Sequence, residues 1–466
     1  MNQRSAKRII KASWVLPMNG EAKRNAALLI DREKIAAVIE AAETNLSDDS
    51  SNTPVKDYGA AVMCPGLINL HTHLDYSQLS SFEMGKGLLP WTKALMQTVV
   101  NWGASDWLTS ARLGARKAAA CGTSFLVDSS YSGSAATALC EVGLKGLVGL
   151  ELFGIDERKA ATIWSAWLAK YQALATSENP ELNKALKSGR VTITVSPHAP
   201  YTVCPGLWKL ANSWAERNDK LILTHLAESQ QECRWFINGD REMNEHLRFA
   251  FGSVRGAQPF DDEVLSWKQS GSSPVEHLHR HRLLSANLLS AHAVAVDDDD
   301  LAKLASQGVS VAHCPRSNAR LRNGFAPLEK MRTTGLKFGL GTDSLASCED
   351  LDMLAEARFA IALNRALNPD SNFGPRQALE KITIEAAQCL KKDKEIGSLI
   401  PGKCADLAIF QIGDGKQSTK DSDRIDPYEL LLGGQCQMRE LLIDGVSRYN
   451  NEDGAASLAK EAISIS

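Results

Sequence analysis

Two histidines one residue apart, His71 and His73, close the apolar run Pro65-Gly66-Leu67-Ile68-Asn69-Leu70. On a strand, side chains at i and i+2 share a face. Both imidazoles can therefore turn toward one ligand, and neutral imidazoles are good donors to a divalent cation. A half-exposed edge strand would give the same pair. Other ionisable residues also follow apolar runs: Ser196-Pro197-His198, His225-Leu226-Ala227-Glu228, His292, His313-Cys314-Pro315, and Asp343 in Gly341-Thr342-Asp343-Ser344. Taken singly, His225 reads equally well as a hydrogen-bonded core histidine and Asp343 as a helix cap. Taken together, three imidazoles and a carboxylate make a sensible ligand set for one divalent cation, and that joint placement favours a metal site.

Positioning such a set requires elements that bring distant strand ends together. Eight short apolar runs alternate with longer helical patterns: Leu67 to Leu70, Gly122 to Val127, Gly146 to Leu152, Val191 to Val195, Leu221 to Thr224, Leu288 to Ala291, Val309 to Ala312 and Lys337 to Leu340. This is the pattern of parallel βα units, and the span from His71 to Asp343 suits a (β/α)8 barrel of about 250 residues. A doubly wound open sheet would announce a nucleotide site with a glycine-rich first turn, and none is present. Barrel active sites lie at the C-terminal ends of the strands, and six of these ends carry ionisable side chains. Strand-like runs also flank the barrel, at Arg8 to Leu16, Ala26 to Ile30, Ile35 to Ile39, Ala405 to Phe410 and Glu440 to Val446. The expected architecture is α/β, with a TIM barrel over 65–395 and a small β-sandwich assembled from 1–64 and 396–466, the latter including a tail.

Composition fits that expectation. Of 466 residues, 44% are hydrophobic and 23% charged, which matches a globular chain with one large core. A formal net charge of -3 gives no reason to expect nucleic acid or an anionic membrane as partner, so a small-molecule substrate is expected. Met1 to Arg24 contains no apolar stretch of signal-peptide length, and no run approaches a membrane span, so a cytoplasmic location is expected. Ten scattered cysteines without a C-x-x-C pair point to neither a zinc finger nor a thioredoxin-type site. Oligomeric state stays open, a homo-oligomer included.

Pro65-Gly66-Leu67-Ile68-Asn69-Leu70-His71-Thr72-His73-Leu74, His225-Leu226-Ala227-Glu228, Ser290-Ala291-His292-Ala293, His313-Cys314-Pro315-Arg316-Ser317-Asn318 and Gly341-Thr342-Asp343-Ser344 together resemble the amidohydrolase superfamily, in its branch of mononuclear deaminases and triazine chlorohydrolases. Gly397-Ser398-Leu399-Ile400-Pro401-Gly402-Lys403-Cys404-Ala405-Asp406-Leu407 is similar to that family's return into its β-domain. The resemblance implies that His71, His73, His225 and Asp343 bind one divalent metal ion, zinc first, with iron or manganese as alternatives. It implies that metal-acidified water attacks an amino-bearing ring carbon and that ammonia leaves. Asp343 would accept the water's proton, His292 would orient the nucleophile, and Glu228 would shuttle a proton to the ring nitrogen and then to the departing amine. Binuclear relatives carry a metal-bridging lysine at the end of the fourth strand. Here that strand ends Thr194-Val195-Ser196-Pro197-His198, which implies one metal. The H-x-E and P-C-x-x-C signature of cytidine deaminases is missing.

For the substrate, Ser196-Pro197-His198-Ala199-Pro200-Tyr201 is similar to the stretch by which deaminases of S-adenosylhomocysteine and 5′-modified adenosines hold a purine, which makes His198 a substrate-binding candidate. Ser347 and Asn318 join it by position. The run His73-Leu74-Asp75-Tyr76-Ser77, followed by Leu89-Pro90-Trp91, looks more like the aminodeoxyfutalosine deaminases of menaquinone synthesis. The leading expectation is therefore 6-amino-6-deoxyfutalosine. The alternatives are S-adenosylhomocysteine or 5′-methylthioadenosine, a guanine- or triazine-type substrate, and, in another class, a catalytically silent barrel scaffold. A complete ligand set speaks against the last.

Other features have simpler readings. His277-Leu278-His279-Arg280-His281 falls on a helix, where i and i+2 do not share a face, and reads as a solvated helix. Asp297 to Asp300 read as an N-terminal helix cap. Trp91, Trp102 and Trp107 either wall the pocket or fill core, with core the favoured reading in such a helical segment. The insertions 75–115 and 229–273 are candidate lids, because loops above a barrel carry specificity.

Overall fold

The structure, a computed structural model, describes residues 7–40, 53–80, 82, 87–253, 262–265, 267, 271–413 and 426–451. The chain begins with β1 (Arg8–Val15), β2 (Lys23–Asp31), β3 (Lys34–Ile39), β4 (Val55–Asp57) and β5 (Ala61–Pro65). It then enters β6 (Leu67–Thr72), β7 (Thr123–Ser130), β8 (Lys145–Leu152), β9 (Val191–Pro197), β10 (Ile222–Leu226), β11 (Leu288–His292), β12 (Ser310–His313) and β13 (Lys337–Leu340). It returns through β14 (Leu407–Ile412), β15 (Cys436–Ile443) and β16 (Val446–Asn450).

β6 to β13 lie side by side in chain order, with every described pairing between neighbours parallel. Helices cover the outside and side chains fill the inside, so the strands are buried on both faces; this is why they read as continuous apolar runs rather than alternating ones. The ring closes where the end of β13 meets β6. The Asp343 N–H donates to the His71 carbonyl at 2.9 Å, and Asn69 Nδ2 donates to Thr342 Oγ1 at 2.7 Å. Only glycine fits at 341, since a Cβ there would lie 2.8 Å from both the His71 nitrogen and its Cβ. All eight expected barrel strands form, within two or three residues of their expected ends.

The flanking strands build the second unit, in the order β16-β15-β14-β5-β1-β2-β3, with β4 on β1. The two chain ends are joined by antiparallel pairing of β14 with β5, Leu407 opposite Pro65. Ile10, Leu28, Met63, Ile409 and Leu442 share one buried cluster, which gives the β-sandwich its core. Its last expected strand is in fact a hairpin, β15 and β16 turning at Asp444-Gly445, because both residues take up positive φ there. Lys145, at the start of β8, fastens barrel to sandwich: Nζ lies 2.8 Å from Asp406 and 2.6 Å from Asp444.

Described helices of both long insertions lie above the barrel mouth. Helices Leu88–Val99 and Arg241–Arg248 meet through a cluster containing Leu89, Phe236, Met243 and Leu247, packed on Ile155 and Tyr201. The helix Pro274–Arg280 is amphipathic rather than solvated all round: His277 is buried against Phe236, ring centroids 4.8 Å apart, while His279 and Arg280 are exposed. Burial holds the His277 pKa down to about 3, so it stays neutral. Asp297 caps the helix Asp298–Ser306, its Oδ1 accepting the Asp300 N–H at 2.8 Å. No helix among the described residues is long and apolar enough to cross a membrane.

Candidate active site

β6 delivers His71 and His73 to the barrel mouth, and β10 delivers His225; all three are buried. The tautomers of two of them follow from their partners. His73 Nδ1 faces the Ser129 carbonyl at 2.7 Å and His225 Nδ1 faces the His198 carbonyl at 2.8 Å. A carbonyl oxygen only accepts, so each Nδ1 carries the hydrogen and each Nε2 presents a lone pair. Those two Nε2 atoms stand 3.0 Å apart. Burial depresses the pKa of both rings, that of His225 to about 3, so a shared proton is a poor way to relieve the repulsion. His71 Nε2 is buried without a hydrogen-bond partner, an expensive state for a polar atom. Three unpaired imidazole lone pairs turned to one point fit a divalent cation.

Asp343 stands beside these three and could supply a fourth donor. Its Oδ1 lies 3.7 Å from Nε2 of both His71 and His73. The other oxygen, Oδ2, accepts from Ser317 Oγ at 2.6 Å and from Ser347 Oγ at 2.9 Å, which fixes the carboxylate plane. The residue holds φ at 61°, a strained left-handed conformation for a side chain of this kind, kept where function over-determines the backbone.

Glu228 and His292 stand beside this cluster. Ala227 takes φ 51° just after β10 and turns the chain so that Glu228 reaches the cavity floor. Glu228 Oε1 accepts from Asn323 Nδ2 at 3.0 Å and lies 3.9 Å from His292 Nε2. Burial raises the Glu228 pKa above the ordinary carboxylate range, so it can hold a proton that a surface glutamate would lose. His292 Nδ1 is paired with Asn318 Oδ1 at 2.9 Å, which leaves Nε2 as the acceptor toward Glu228.

Above the floor opens a cavity walled by the barrel loops and the insertions. His198 lines it, its Nδ1 2.9 Å from Thr202 Oγ1 and its ring stacked on Phe153 at 4.6 Å. Trp91, Trp102 and Trp107 line it too, which favours the pocket-wall reading over core: Trp91 sits on the helix Leu88–Val99, Trp102 in the link after it, and Trp107, itself buried, in the first turn of the helix Ala104–Ala120. Ser347 and Asn318 do not reach the cavity wall; both are fully buried, with their side chains on Asp343 and His292. His313 also turns away, into a separate cleft with Pro327 and Leu328, so five of the six ionisable strand ends converge and not all six.

Three residues of the site escaped the reading of strand ends. Glu151, on β8, lines the cavity; its signal was an acid inside the apolar run Leu150-Glu151-Leu152. Asp128, on β7, accepts from the Leu74 N–H at 2.7 Å and the Thr72 hydroxyl at 2.9 Å, and so holds the loop after His73. Asn323 lies in a loop with no pattern to mark it.

Comparison with known proteins agrees with this geometry. The amidohydrolase family matches residues 62–435. A 5-methylthioadenosine/S-adenosylhomocysteine deaminase of Thermoanaerobacter pseudethanolicus is 32% identical over 354 residues, 75% of this chain and 73% of that protein. One from Bacillus cereus is 28% identical over 443 residues, 92% of this chain and 91% of its own. Among solved structures, an adenosine deaminase from Xanthomonas campestris with bound zinc superposes with a TM-score of 0.77 at 22% identity, over 98% of this chain and 97% of that one. The aminofutalosine deaminase of Helicobacter pylori gives 0.74 at 20% identity, over 95% and 99%. At those identities the two structures speak for the fold. Family match and sequence relatives, each spanning most of the chain, establish that it belongs to the amidohydrolase family and that its chemistry is hydrolysis of carbon–nitrogen bonds at a metal site.

Proposed function

We propose that this chain is a hydrolytic deaminase of adenosines modified at the 5′ position. The observation that carries the reading is the pair of opposed lone pairs on His73 and His225, beside His71, Asp343 and a buried glutamate, at the floor of an aromatic-walled cavity. His71, His73, His225 and Asp343 would hold one divalent cation, zinc in the first place, as in the Xanthomonas campestris structure. When bound, such a cation acidifies a water and supplies the nucleophile near neutral pH.

The remaining work falls to the chain's own side chains. Glu228, whose proton affinity burial raises, gives a proton to a ring nitrogen and later passes one to the departing amine. His292, with its tautomer set by Asn318, presents Nε2 as an acceptor that orients the attacking group. Asp343, clamped by Ser317 and Ser347, takes up a proton at the attacking side. His198, stacked on Phe153, presents an imidazole to the purine.

The substrate reading departs from the leading expectation of 6-amino-6-deoxyfutalosine. That expectation rested on His73-Leu74-Asp75-Tyr76-Ser77 followed by Leu89-Pro90-Trp91; Trp91 lines the cavity, but Asp75 and Ser77 serve the scaffold. Asp75 is fully buried and accepts from Ser130 and Ser132, and Ser77 is buried with its hydroxyl on the Leu74 carbonyl. The relatives that cover most of the chain are 5-methylthioadenosine/S-adenosylhomocysteine deaminases, which favours 5′-methylthioadenosine and S-adenosylhomocysteine. The test is ammonia release from 5′-methylthioadenosine, S-adenosylhomocysteine, 6-amino-6-deoxyfutalosine, adenosine, guanine and a chlorotriazine. Highest kcat/KM on one of the first two is expected. Release only from the futalosine derivative would restore the earlier choice, and release from none of the adenosine derivatives would overturn the proposal.

A further inference from the structure

Glu151 takes no part in the chemistry above, yet it stands on the cavity wall with only 2% of its side chain exposed. Alternation along β8 turns Gly149, Glu151 and, one residue past the strand, Phe153 to the same side. Beneath Glu151 the barrel layer is closed: a Cβ at Gly149 would lie 2.7 Å from Leu223 Cδ1 and 2.9 Å from Ser196 Cβ. Above it, the Phe153 ring stacks on His198 at an interplanar angle of 27°. The carboxylate is held between that floor and that aromatic step.

Glu151 does not hydrogen-bond His73. His73 Nδ1 already donates to the Ser129 carbonyl at 2.7 Å, and Glu151 Oε1 lies 3.9 Å from that nitrogen, beyond hydrogen-bond reach. The Glu151 carboxylate is, however, within 4.8 Å of ligand nitrogens on His198 and His225. A ring seated over the histidines with an edge on His198 would carry its attached sugar along this wall, within reach of Glu151. A carboxylate oxygen is a strong acceptor for a hydroxyl donor, whereas the adjoining wall, Phe153, Tyr131 and Trp107, is aromatic. Acceptor beside aromatic faces is the chemistry that binds a vicinal diol.

We infer that Glu151 is a substrate-binding residue that accepts hydrogen bonds from the ribose hydroxyls of the nucleoside. The inference rests on the reading of the site as a nucleoside deaminase. It sets the discrimination between ribosides and deoxy analogues, which neither Glu228 nor His292 touches.

The experiment compares the metal-loaded full chain with Glu151→Gln and Glu151→Ala on 5′-methylthioadenosine and on its 2′,3′-dideoxy analogue. Metal content and melting temperature report on the integrity of each variant. The parent protein is expected to favour the riboside by at least about tenfold in kcat/KM, the effect of one hydrogen bond to a charged group. Glu151→Ala should remove that preference, chiefly through KM on the riboside, while the dideoxy analogue stays within about threefold of the parent value. Metal content should not change. Equal losses on both substrates, a fall in bound metal, or retained riboside preference in both variants would each overturn the role of Glu151 alone. If the parent protein deaminates neither nucleoside, this inference falls together with the proposed function.

Discussion

The side-chain amide of Asn323 donates to Oε1 of Glu228 at 3.0 Å, and that bond fixes a buried carboxyl beside His292 at the cavity floor. A positioned proton donor contributes about 10²- to 10⁴-fold to such a reaction. Glu228→Gln is therefore expected to lower kcat by that order with metal content unchanged, since Glu228 is not one of the clustered ligands. Asn323→Leu should lower kcat by about tenfold, the effect of losing one hydrogen bond to a charged or polarised group. Steady-state kinetics with metal analysis checks both, and a fully active Glu228→Gln would end the proton-shuttle assignment.

Removing the cation should cost stability as well as activity. Without it, His73 and His225 turn lone pairs on each other at 3.0 Å and His71 Nε2 stays unsatisfied. A chelator-treated sample is expected to release no ammonia and to melt at a lower temperature. Zinc at a hundred times its dissociation constant should restore about 3 kcal/mol of stability. Melting curves across a zinc titration read this directly, and curves insensitive to zinc would contradict the ligand assignment.

The barrel was legible because its strands are buried on both faces, so each one appears as a mostly apolar run, and most are followed by a polar residue. The same feature exposed His71, His73, His225, His292 and Asp343, because polar groups at strand ends have few bland reasons to be there. Direction within a loop was not legible. Asn318 and Ser347 sit a few residues beyond strands, as substrate contacts would, but their side chains turn inward to His292 and Asp343. Nor does composition say what a helix lies against: Trp91 and Trp107 have core-like neighbours in sequence, and only the placement of the helix Leu88–Val99 and of the first turn of the helix Ala104–Ala120 beside the cavity makes them part of its wall. The joint between barrel and sandwich, Lys145 with Asp406 and Asp444, spans about 300 positions and leaves no local pattern.

Because Asn318 and Ser347 act through His292 and Asp343, their loss should appear in turnover and not in substrate affinity. Asn318→Leu removes the acceptor that fixes the His292 tautomer, and Ser347→Ala removes one of two donors to Asp343 Oδ2. Each is expected to lower kcat by about tenfold, with KM changing less than about twofold. A KM effect equal to the kcat effect would return them to the role of substrate contacts.

Lys145 carries a buried charge between Asp406 and Asp444, with its side chain 10% exposed. Removing one partner of a buried ion pair leaves the others uncompensated and costs about 3–5 kcal/mol. Lys145→Met is expected to lower the melting temperature markedly, while leaving the KM of whatever enzyme folds unchanged, because the residue lies at the opposite end of β8 from the cavity. Denaturation against urea measures the loss, and a stability within about 0.5 kcal/mol of the parent would show that the clamp contributes little.

Glu232 gives a pH dependence that a single substitution isolates. It is fully buried, with Oε2 accepting the Glu228 N–H at 2.8 Å and Oε1 lacking a partner. Burial, the largest influence, lifts its pKa to about 8, whereas an unfolded glutamate titrates near 4.3. Between about pH 4 and pH 8 the folded chain thus binds one proton that the unfolded chain has released, so folding stability falls as pH rises through that window, by roughly 1 kcal/mol per unit, and levels off above it. Glu232→Gln keeps the acceptor for the Glu228 N–H and removes the titration. The melting temperature of the variant minus that of the parent should therefore grow steadily from pH 5 to pH 8 and then flatten, while contributions from other groups cancel in the difference. A difference that does not vary with pH would mean that Glu232 ionises as freely in the folded chain as in the unfolded one.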